Sequence, residues 1–313
     1  MFNKLTTLVA LLLVAASVQA QDVDLFKMLD DESKESDKNR IDYASAAFKT
    51  TRLINGHTIE NTGKGIMDLK ISHRFGTLNQ GPRDLWGFDN ARMRFGFDYG
   101  VTDRFMIGIG RSTFQKQYDG FFKYKLVRQS SGKRNMPFSV GLLASAMIKT
   151  EKEAVDPFNK KNFSDKLHYA FQAIIARKFS DNTSFQISPT VVHHNRVPSG
   201  YSNDIYAIGF GGRQKVSKRI SINGEYYYVL PDYKLANTYN SLSFGIDIET
   251  GGHVFQLHFT NSTPMTESSF ITETTQSWGQ GGIHFGFNIS RVFVIGGKKK
   301  RTREAELKKV ESN

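Results

Sequence analysis

The chain of 313 residues has a formal net charge of +12, contains no cysteine and is rich in aromatic residues, with 25 Phe and 12 Tyr. The lack of cysteine excludes a disulfide scaffold, a thiolate metal site and a cysteine nucleophile. A basic chain commonly binds nucleic acid or an anionic surface. Because residues 1–20 are predicted to be an export signal, as argued next, we expect anionic lipid, an anionic solute or an acidic protein, and no nucleic acid.

Residues 1–20 are predicted to be a secretory signal peptide. Lys4 is followed by an apolar run over residues 8–16 and by a small-residue cleavage site that ends at Ala20. The alternative is an uncleaved membrane anchor, but the run is shorter than the roughly 20 residues that a helical span needs. No later segment reaches that length without charge, so the mature protein is either soluble and exported or a membrane β-barrel.

Residues 21–62 precede the first predicted strand and divide into two parts. Residues 21–40 are strongly charged, which is typical of a flexible periplasmic segment. Residues 43–62 are more apolar, and Asn55-Gly56 is a turn signal between two short β-like runs. The sequence fits a periplasmic hairpin and a plug inside a barrel equally well.

Twelve stretches of residues 63–297 alternate apolar and polar side chains with the period of two that a strand requires. Their lengths of about 9–14 residues suit tilted membrane strands, and aromatic residues lie near their ends. The alternative, a soluble β-sandwich, would have shorter strands. The predicted fold is therefore all-β, a twelve-stranded antiparallel up-and-down transmembrane β-barrel. The predicted strands are 66–76, 91–100, 104–114, 118–129, 137–149, 166–179, 183–194, 203–215, 219–229, 239–249, 252–260 and 281–295.

The connections between these strands alternate between short turns and long polar loops, as in outer-membrane barrels. The connection near residues 115–118 is shorter than this rule predicts, and the one at 130–136 is longer. An even number of strands leaves both termini on the side of the short turns. We therefore expect an outer-membrane protein with its loops outside the cell and its termini in the periplasm. The tail 298–313, with seven Lys and Arg, is then a basic periplasmic segment.

Five stretches of the chain resemble one family of exported proteins, the Bacteroidota β-barrels catalogued as domain of unknown function 5777. The resemblance extends over about residues 46–295. It implies a β-barrel in a Gram-negative outer membrane, with no established activity and no functional residues to carry over. The stretches are DLKISHRFG (68–76), MRFGFDYGVTDR (93–104), PTVVHHN (189–195), ETGGHVFQLHFTNS (249–262) and FGFNISRVF (285–293).

Strand parity places a set of charged side chains on the inward face, where basic residues outnumber acidic ones. A positively lined lumen favours anions over cations, so the first hypothesis is a narrow channel for small anionic solutes. The alternative is that these charges pair with one another and stiffen the barrel. The predicted lumen-lining or solute-binding residues are Lys70, Arg74, Arg94, Lys123, Lys125, Arg213, Asp98, Glu225, Asp247, His258 and His284. The same parity adds Arg92, Asp68 and Glu249.

No residue is assigned a catalytic or metal-binding role, and no cofactor is expected. His258 and His284 could share a lumenal site with a carboxylate, although interface packing is the simpler interpretation. Two functions remain beside the channel. One is a closed barrel that anchors or docks a periplasmic or surface complex, and the other is a lipid-directed hydrolase. The expected partners are outer-membrane lipid with lipopolysaccharide, a small anionic solute and a periplasmic protein.

Overall fold

A computed structural model of the chain describes residues 40–152, 162–250 and 252–295, which fall into two compact units. In the smaller unit, with residues 40–42 and 131–135, the Lys133 amide donates a hydrogen bond to the Arg40 carbonyl. The larger unit contains every site discussed below. The predicted signal peptide and basic tail lie outside the described residues, as does the charged leader apart from Arg40.

Twelve antiparallel strands close into a barrel, and the predicted fold class is confirmed. The last strand pairs with the first, with Ile289 opposite Ile71 and Val294 opposite Ile66. Every strand lies within about three residues of its predicted bounds. The strands are β1 (Ile66–Thr77), β2 (Ala91–Gly100), β3 (Phe105–Ser112), β4 (Tyr118–Val127), β5 (Ser139–Ile148), β6 (Leu167–Lys178), β7 (Thr183–His194), β8 (Asp204–Lys215), β9 (Ile220–Val229), β10 (Leu242–Thr250), β11 (His253–Thr260) and β12 (His284–Val294).

The two faces of each strand differ in polarity, as β10 illustrates. Phe244 and Ile246 point outward and are 51% and 44% exposed, whereas Ser243 and Asp247 point inward and are buried. This alternation follows from the pleat, which sends successive side chains to opposite faces. Repeated around the barrel, it produces an apolar outer belt far larger than a soluble protein exposes.

Long and short connections lie at opposite ends of the barrel. We call these the loop end, with residues 78–90, 113–117, 149–152, 162–166, 195–203, 230–241 and 261–283, and the turn end, with residues 101–104, 128–130, 136–138, 179–182, 216–219 and 252. The connections at 113–117 and 128–138 depart from the strict alternation, as the sequence indicates. In the described part of the chain, no helix is long and apolar enough to cross a membrane.

Two segments occupy the lumen. Residues 44–62, which we call the plug, have almost no regular structure, yet most of their residues are buried. Residues 261–283, the inner loop, contain the only α-helix in the described ranges, α1 (Glu267–Thr272), whose six residues are all buried.

Apolar packing secures both segments to the wall. Phe48, Leu53 and Ile59 of the plug pack with Ile174 and Ala176 of β6. Phe270 and Ile271 of α1 pack on the wall in a second cluster, which includes Tyr227 and Met147. The core of this protein is therefore the filled interior of the barrel.

Candidate functional site in the barrel lumen

The carboxylate of Glu225 on β9 holds the turn of the plug. It accepts hydrogen bonds from the main-chain amides of Ile54 (3.3 Å), Asn55 (3.1 Å) and Gly56 (2.9 Å). Three successive amides that converge on one anion form a nest of partial positive charge. The contact needs Asn55-Gly56 to turn sharply, and the sequence predicts that turn.

Two wall cations hold the flanks of the plug through its carbonyl oxygens. Lys123 on β4 donates to the carbonyls of Thr58, at 3.1 Å, and Glu60. Arg213 on β8 donates to the carbonyls of Ala46 and Ala47, each at 3.1 Å. The plug main chain thus supplies the oxygen atoms that these buried cations need.

Three wall amides add further main-chain contacts. Gln186 donates to the carbonyl of His57 at 2.8 Å, and Gln256 donates to that of Leu53 at 2.7 Å. Asn288 donates to the carbonyl of Ile54 at 2.9 Å. Backbone groups in an irregular buried segment must find partners outside secondary structure, and here the barrel wall provides them.

Other charged side chains of the wall pair with one another and do not bind the main chain of the plug. Lys70 lies between Asp68 (2.9 Å) and Asp98 (2.7 Å). Arg94 on β2 reaches over β3 to Asp119 on β4, with 2.9 Å between Nε and Oδ1. A Cβ at Gly110 would lie 2.3 Å from the Arg94 guanidinium, so this glycine makes room for the bridge.

The plug and the inner loop meet at a buried ion pair. Arg52 of the plug lies 2.6 Å from Glu267 at the start of α1, and the two side chains are 5% and 1% exposed. Arg52 also donates to the carbonyl of Asn55 at 2.8 Å, and His57 lies 3.3 Å from the same carboxylate. One contact therefore joins the segment that enters at the turn end to the one that enters at the loop end.

The predicted lumen residues all lie on the inward face, but they do not form one site. Lys125 lies 3.5 Å from Glu60 of the plug, Glu249 pairs with Lys49 of the plug, and Asp247 accepts from Gln256. Lys70, Arg94 and Asp98 take part in ion pairs of the wall, and Glu225, Lys123 and Arg213 bind the main chain of the plug. Arg74 donates to the side-chain amide oxygens of Asn55 and Asn288. Arg92 lies over the ring of Phe114 at the rim.

His258 and His284 lie on neighbouring strands, His258 opposite Gly286 and His284 opposite Thr260. The ring of His284 is 2.9 Å from the Phe75 carbonyl. The described residues contain no group of three His, Asp or Glu that could hold a metal ion.

Sequence reasoning missed five charged residues of the site: Asp119 of the wall, Glu267 of the inner loop, and Lys49, Arg52 and Glu60 of the plug. Asp119 could have been found, because it shares the inward parity of Lys123 on the same strand, and it reduces the predicted basic excess of the wall. Arg52 and Glu267 lie in irregular segments that have no periodicity to reveal which way a side chain points. The positions of aromatic side chains in the long loops were unpredictable for the same reason. Phe270 is buried in the lumen, whereas Trp86 and Phe88 are exposed at the loop end.

Open space remains on both sides of the plug. A cavity of about 470 Å³ lies at the turn end, between the plug and the ends of β10, β11, β12 and β1. Another, of about 500 Å³, lies at the loop end and is lined by Arg92, Phe114, Gln276 and His284 among others. The plug and the inner loop thus fill the middle of the lumen more completely than its ends.

Comparison with models of protein families agrees with this architecture. The model of a membrane-bound β-barrel domain family, DUF5777, matches residues 48–293. No curated protein matches the sequence.

Among solved structures, the NanC porin is similar, with 10% identity, a TM-score of 0.46 and coverage of 73% of this chain and 98% of that one. The KdgM porin is similar too, with 9% identity, a TM-score of 0.43 and coverage of 73% and 99%.

Proposed function

This chain belongs to the family of membrane-bound β-barrel domains, and on that premise we propose that it is an outer-membrane channel closed at rest by its own plug. Small solutes with an anionic group pass when the plug leaves the lumen. The loop end faces outside the cell, and the termini lie in the periplasm after removal of a signal peptide. The plug therefore enters and leaves from the periplasmic side, where a protein partner could reach it.

One observation carries the proposal: the lumen is lined with charge, and much of that charge is satisfied by a segment that is not part of the wall. Charged groups are costly to bury, and replacing them with well-packed apolar residues is often neutral or stabilising. A barrel that stays closed has no need of Lys123, Arg213 and Glu225 around a separate segment. A wall that meets water and solute when the segment leaves does need polar side chains.

The anionic preference is supported by which cations the plug covers. Lys123 and Arg213 bind carbonyl oxygens of the plug, so both lose acceptors when it withdraws. Arg74 loses its bond to Asn55. Lys70 and Arg94 keep their wall carboxylates. The cations released in this way would attract the anionic group of a solute, and Glu225, released at the same time, would oppose them.

The test is single-channel conductance in planar bilayers with the full-length chain. A Cβ at Gly56 would lie 2.1 Å from the Tyr227 hydroxyl oxygen, so Gly56→Val expels the turn from the lumen without altering the wall. Wild type is expected to be mostly closed and Gly56→Val mostly open. The control is Gly120→Val, because Gly120 faces outward and its nearest neighbour is a backbone oxygen 3.7 Å away. A Gly56→Val protein that folds, inserts and does not conduct would refute the channel.

Selectivity is tested with the open variant under a salt gradient. The reversal potential is expected to show anion preference, and Lys123→Glu with Lys125→Glu is expected to move it toward cations. Cation preference in the unaltered wall would refute the anionic part of the proposal and leave the channel itself standing.

A second function, a closed barrel that anchors or docks a complex, is favoured by the Arg52–Glu267 pair. Such a buried pair between the two lumenal segments suits a permanent seal. The same bilayer experiment separates the two functions, since a permanent seal predicts no conductance even when the turn of the plug is displaced.

A further inference from the structure

We infer that the lumen is a binding site for short peptides, which it recognises by their main chain, and that the plug is a copy of this ligand supplied by the chain itself. As the identity of the passing solute, this inference rests on the proposed channel. As a statement about binding, it stands on the contacts of the wall.

Many of the wall's contacts with the plug are directed at main-chain atoms, beside the side-chain contacts of Lys49, Arg52 and Glu60. Six side chains from six different strands bind amides or carbonyls of the plug between residues 46 and 60. They are Lys123 of β4, Gln186 of β7, Arg213 of β8, Glu225 of β9, Gln256 of β11 and Asn288 of β12. Cations and side-chain amides meet carbonyls, and the carboxylate meets N–H groups, so donors and acceptors are correctly matched around the segment.

This pattern of donors and acceptors points to a peptide in preference to other small solutes. Glu225 accepts from three convergent N–H groups, which a peptide turn or a terminal ammonium supplies and a fatty acid lacks. An acidic sugar offers hydroxyl donors instead, and the oligosaccharide arm of the experiment distinguishes it from a peptide. Lys123 and Arg213 can donate hydrogen bonds to amide carbonyls or, more strongly, to a terminal carboxylate. A zwitterionic peptide therefore satisfies both signs of charge, and its carboxyl end provides the anionic group of the proposed solute.

The wall also sets a requirement at the turn. Gly56 lies so close to the hydroxyl of Tyr227 that any side chain at that position would collide with it. The wall also contacts the side chain of Asn55, which donates to the Ser243 hydroxyl at 3.2 Å and accepts from Arg74 at 2.9 Å. The preferred ligand is thus a peptide with a small polar residue followed by glycine. An arginine three residues before the polar residue would reach Glu267, and apolar side chains would fill the places of Phe48, Leu53 and Ile59.

The experiment measures binding directly and does not depend on conductance. The full-length Gly56→Val protein in detergent micelles is titrated into a fluorescein-labelled peptide of residues 48–60, acetylated and amidated, and fluorescence anisotropy is recorded. We expect saturable binding, and at least tenfold weaker binding to wild type, whose lumen is occupied. The matched control peptide carries N-methyl groups on the amides of Asn55 and Gly56. It keeps every side chain and loses two of the three donors to Glu225, so at least a tenfold weaker affinity is expected.

Two further arms identify what is recognised. A peptide that keeps Arg52, Asn55 and Gly56 in place, exchanges the packed side chains of Phe48, Leu53 and Ile59 only among themselves and shuffles the remaining side chains should bind within about fivefold of the parent. An acidic oligosaccharide of similar length should not displace the label. Equal binding of the N-methylated peptide, or displacement by the oligosaccharide, would overturn the inference. If Gly56→Val does not fold, Arg52→Met serves instead, because it loosens the plug and leaves all six wall residues intact.

The outcomes for binding and conductance are distinguishable. Conductance without peptide binding overturns this inference and leaves the channel. Peptide binding without conductance overturns the channel and leaves a peptide-docking barrel.

Discussion

Removing Arg52 is expected to open the lumen, because it strands a carboxylate in a place where water cannot reach it. The Glu267 side chain is 1% exposed, and its second oxygen, Oε2, has no hydrogen-bond partner in the part of the chain that the structure describes. Arg52→Met therefore leaves a buried charge without its counter-ion and also removes the bond to the Asn55 carbonyl. Both losses fall on the closed state, since the carboxylate is hydrated once the segments separate.

The magnitude follows from the burial of both partners. Breaking a buried ion pair by removing one member costs about 3–5 kcal/mol. Since each 1.4 kcal/mol is a factor of ten, the ratio of open to closed channels should rise between about 10² and 10⁴ fold. Glu267→Gln should give a smaller rise, because the amide oxygen still accepts a hydrogen bond from Arg52 and Arg52 keeps its bond to the Asn55 carbonyl.

The assay is the open probability of single channels in planar bilayers, with the double variant Arg52→Met/Glu267→Leu as the control. Replacing both members of a buried pair with apolar residues is often neutral or stabilising, so the double variant should stay closed like wild type. An Arg52→Met channel as closed as wild type, or a double variant as open as the single one, would refute this account of the seal.

Three further predictions concern the plug and the wall. The Thr58→Cys variant, which carries the only cysteine in the chain, should not react with a charged thiol reagent while the plug is in place and should react once Gly56→Val displaces the plug. Mass spectrometry detects the adduct, and fast reaction with or without Gly56→Val would show that the lumen does not shield residue 58. Gly110→Val should cost about 3–5 kcal/mol by breaking the Arg94–Asp119 bridge, seen as a lower midpoint of urea unfolding in micelles, with Gly120→Val as control; an unchanged midpoint contradicts it. Phe270→Ala, at a side chain with no exposure, should cost about 3–5 kcal/mol and raise open probability; unchanged gating would show that α1 does not hold the seal.

The wall of this protein was predictable from sequence because each strand reports its own orientation. In β2, the alternation of Arg94 and Asp98 with Phe95 and Phe97 assigns each residue to a face without knowledge of any neighbour. The inward placement of Lys123 and Glu225 follows in the same way. Parity even places Asp119, which was overlooked.

What the inward residues bind could not be predicted in the same way. Arg94 meets Asp119 across an intervening strand, a contact that depends on the glycine between them and on the stagger of the closed barrel. Parity alone suggests a lumen with an excess of positive charge. The structure shows those charges divided between wall carboxylates and the main chain of the plug.

By itself, the sequence determined the number of strands, their order and the two faces of each, because period-two alternation is a local property of the chain. It also left two alternatives open for residues 43–62, a periplasmic hairpin or a plug. Only the tertiary structure decided that residues 44–62 and α1 lie inside the barrel and meet at Arg52 and Glu267. Those segments have no repeating pattern, and their positions depend on groups that strands far apart in the chain bring together when the barrel closes.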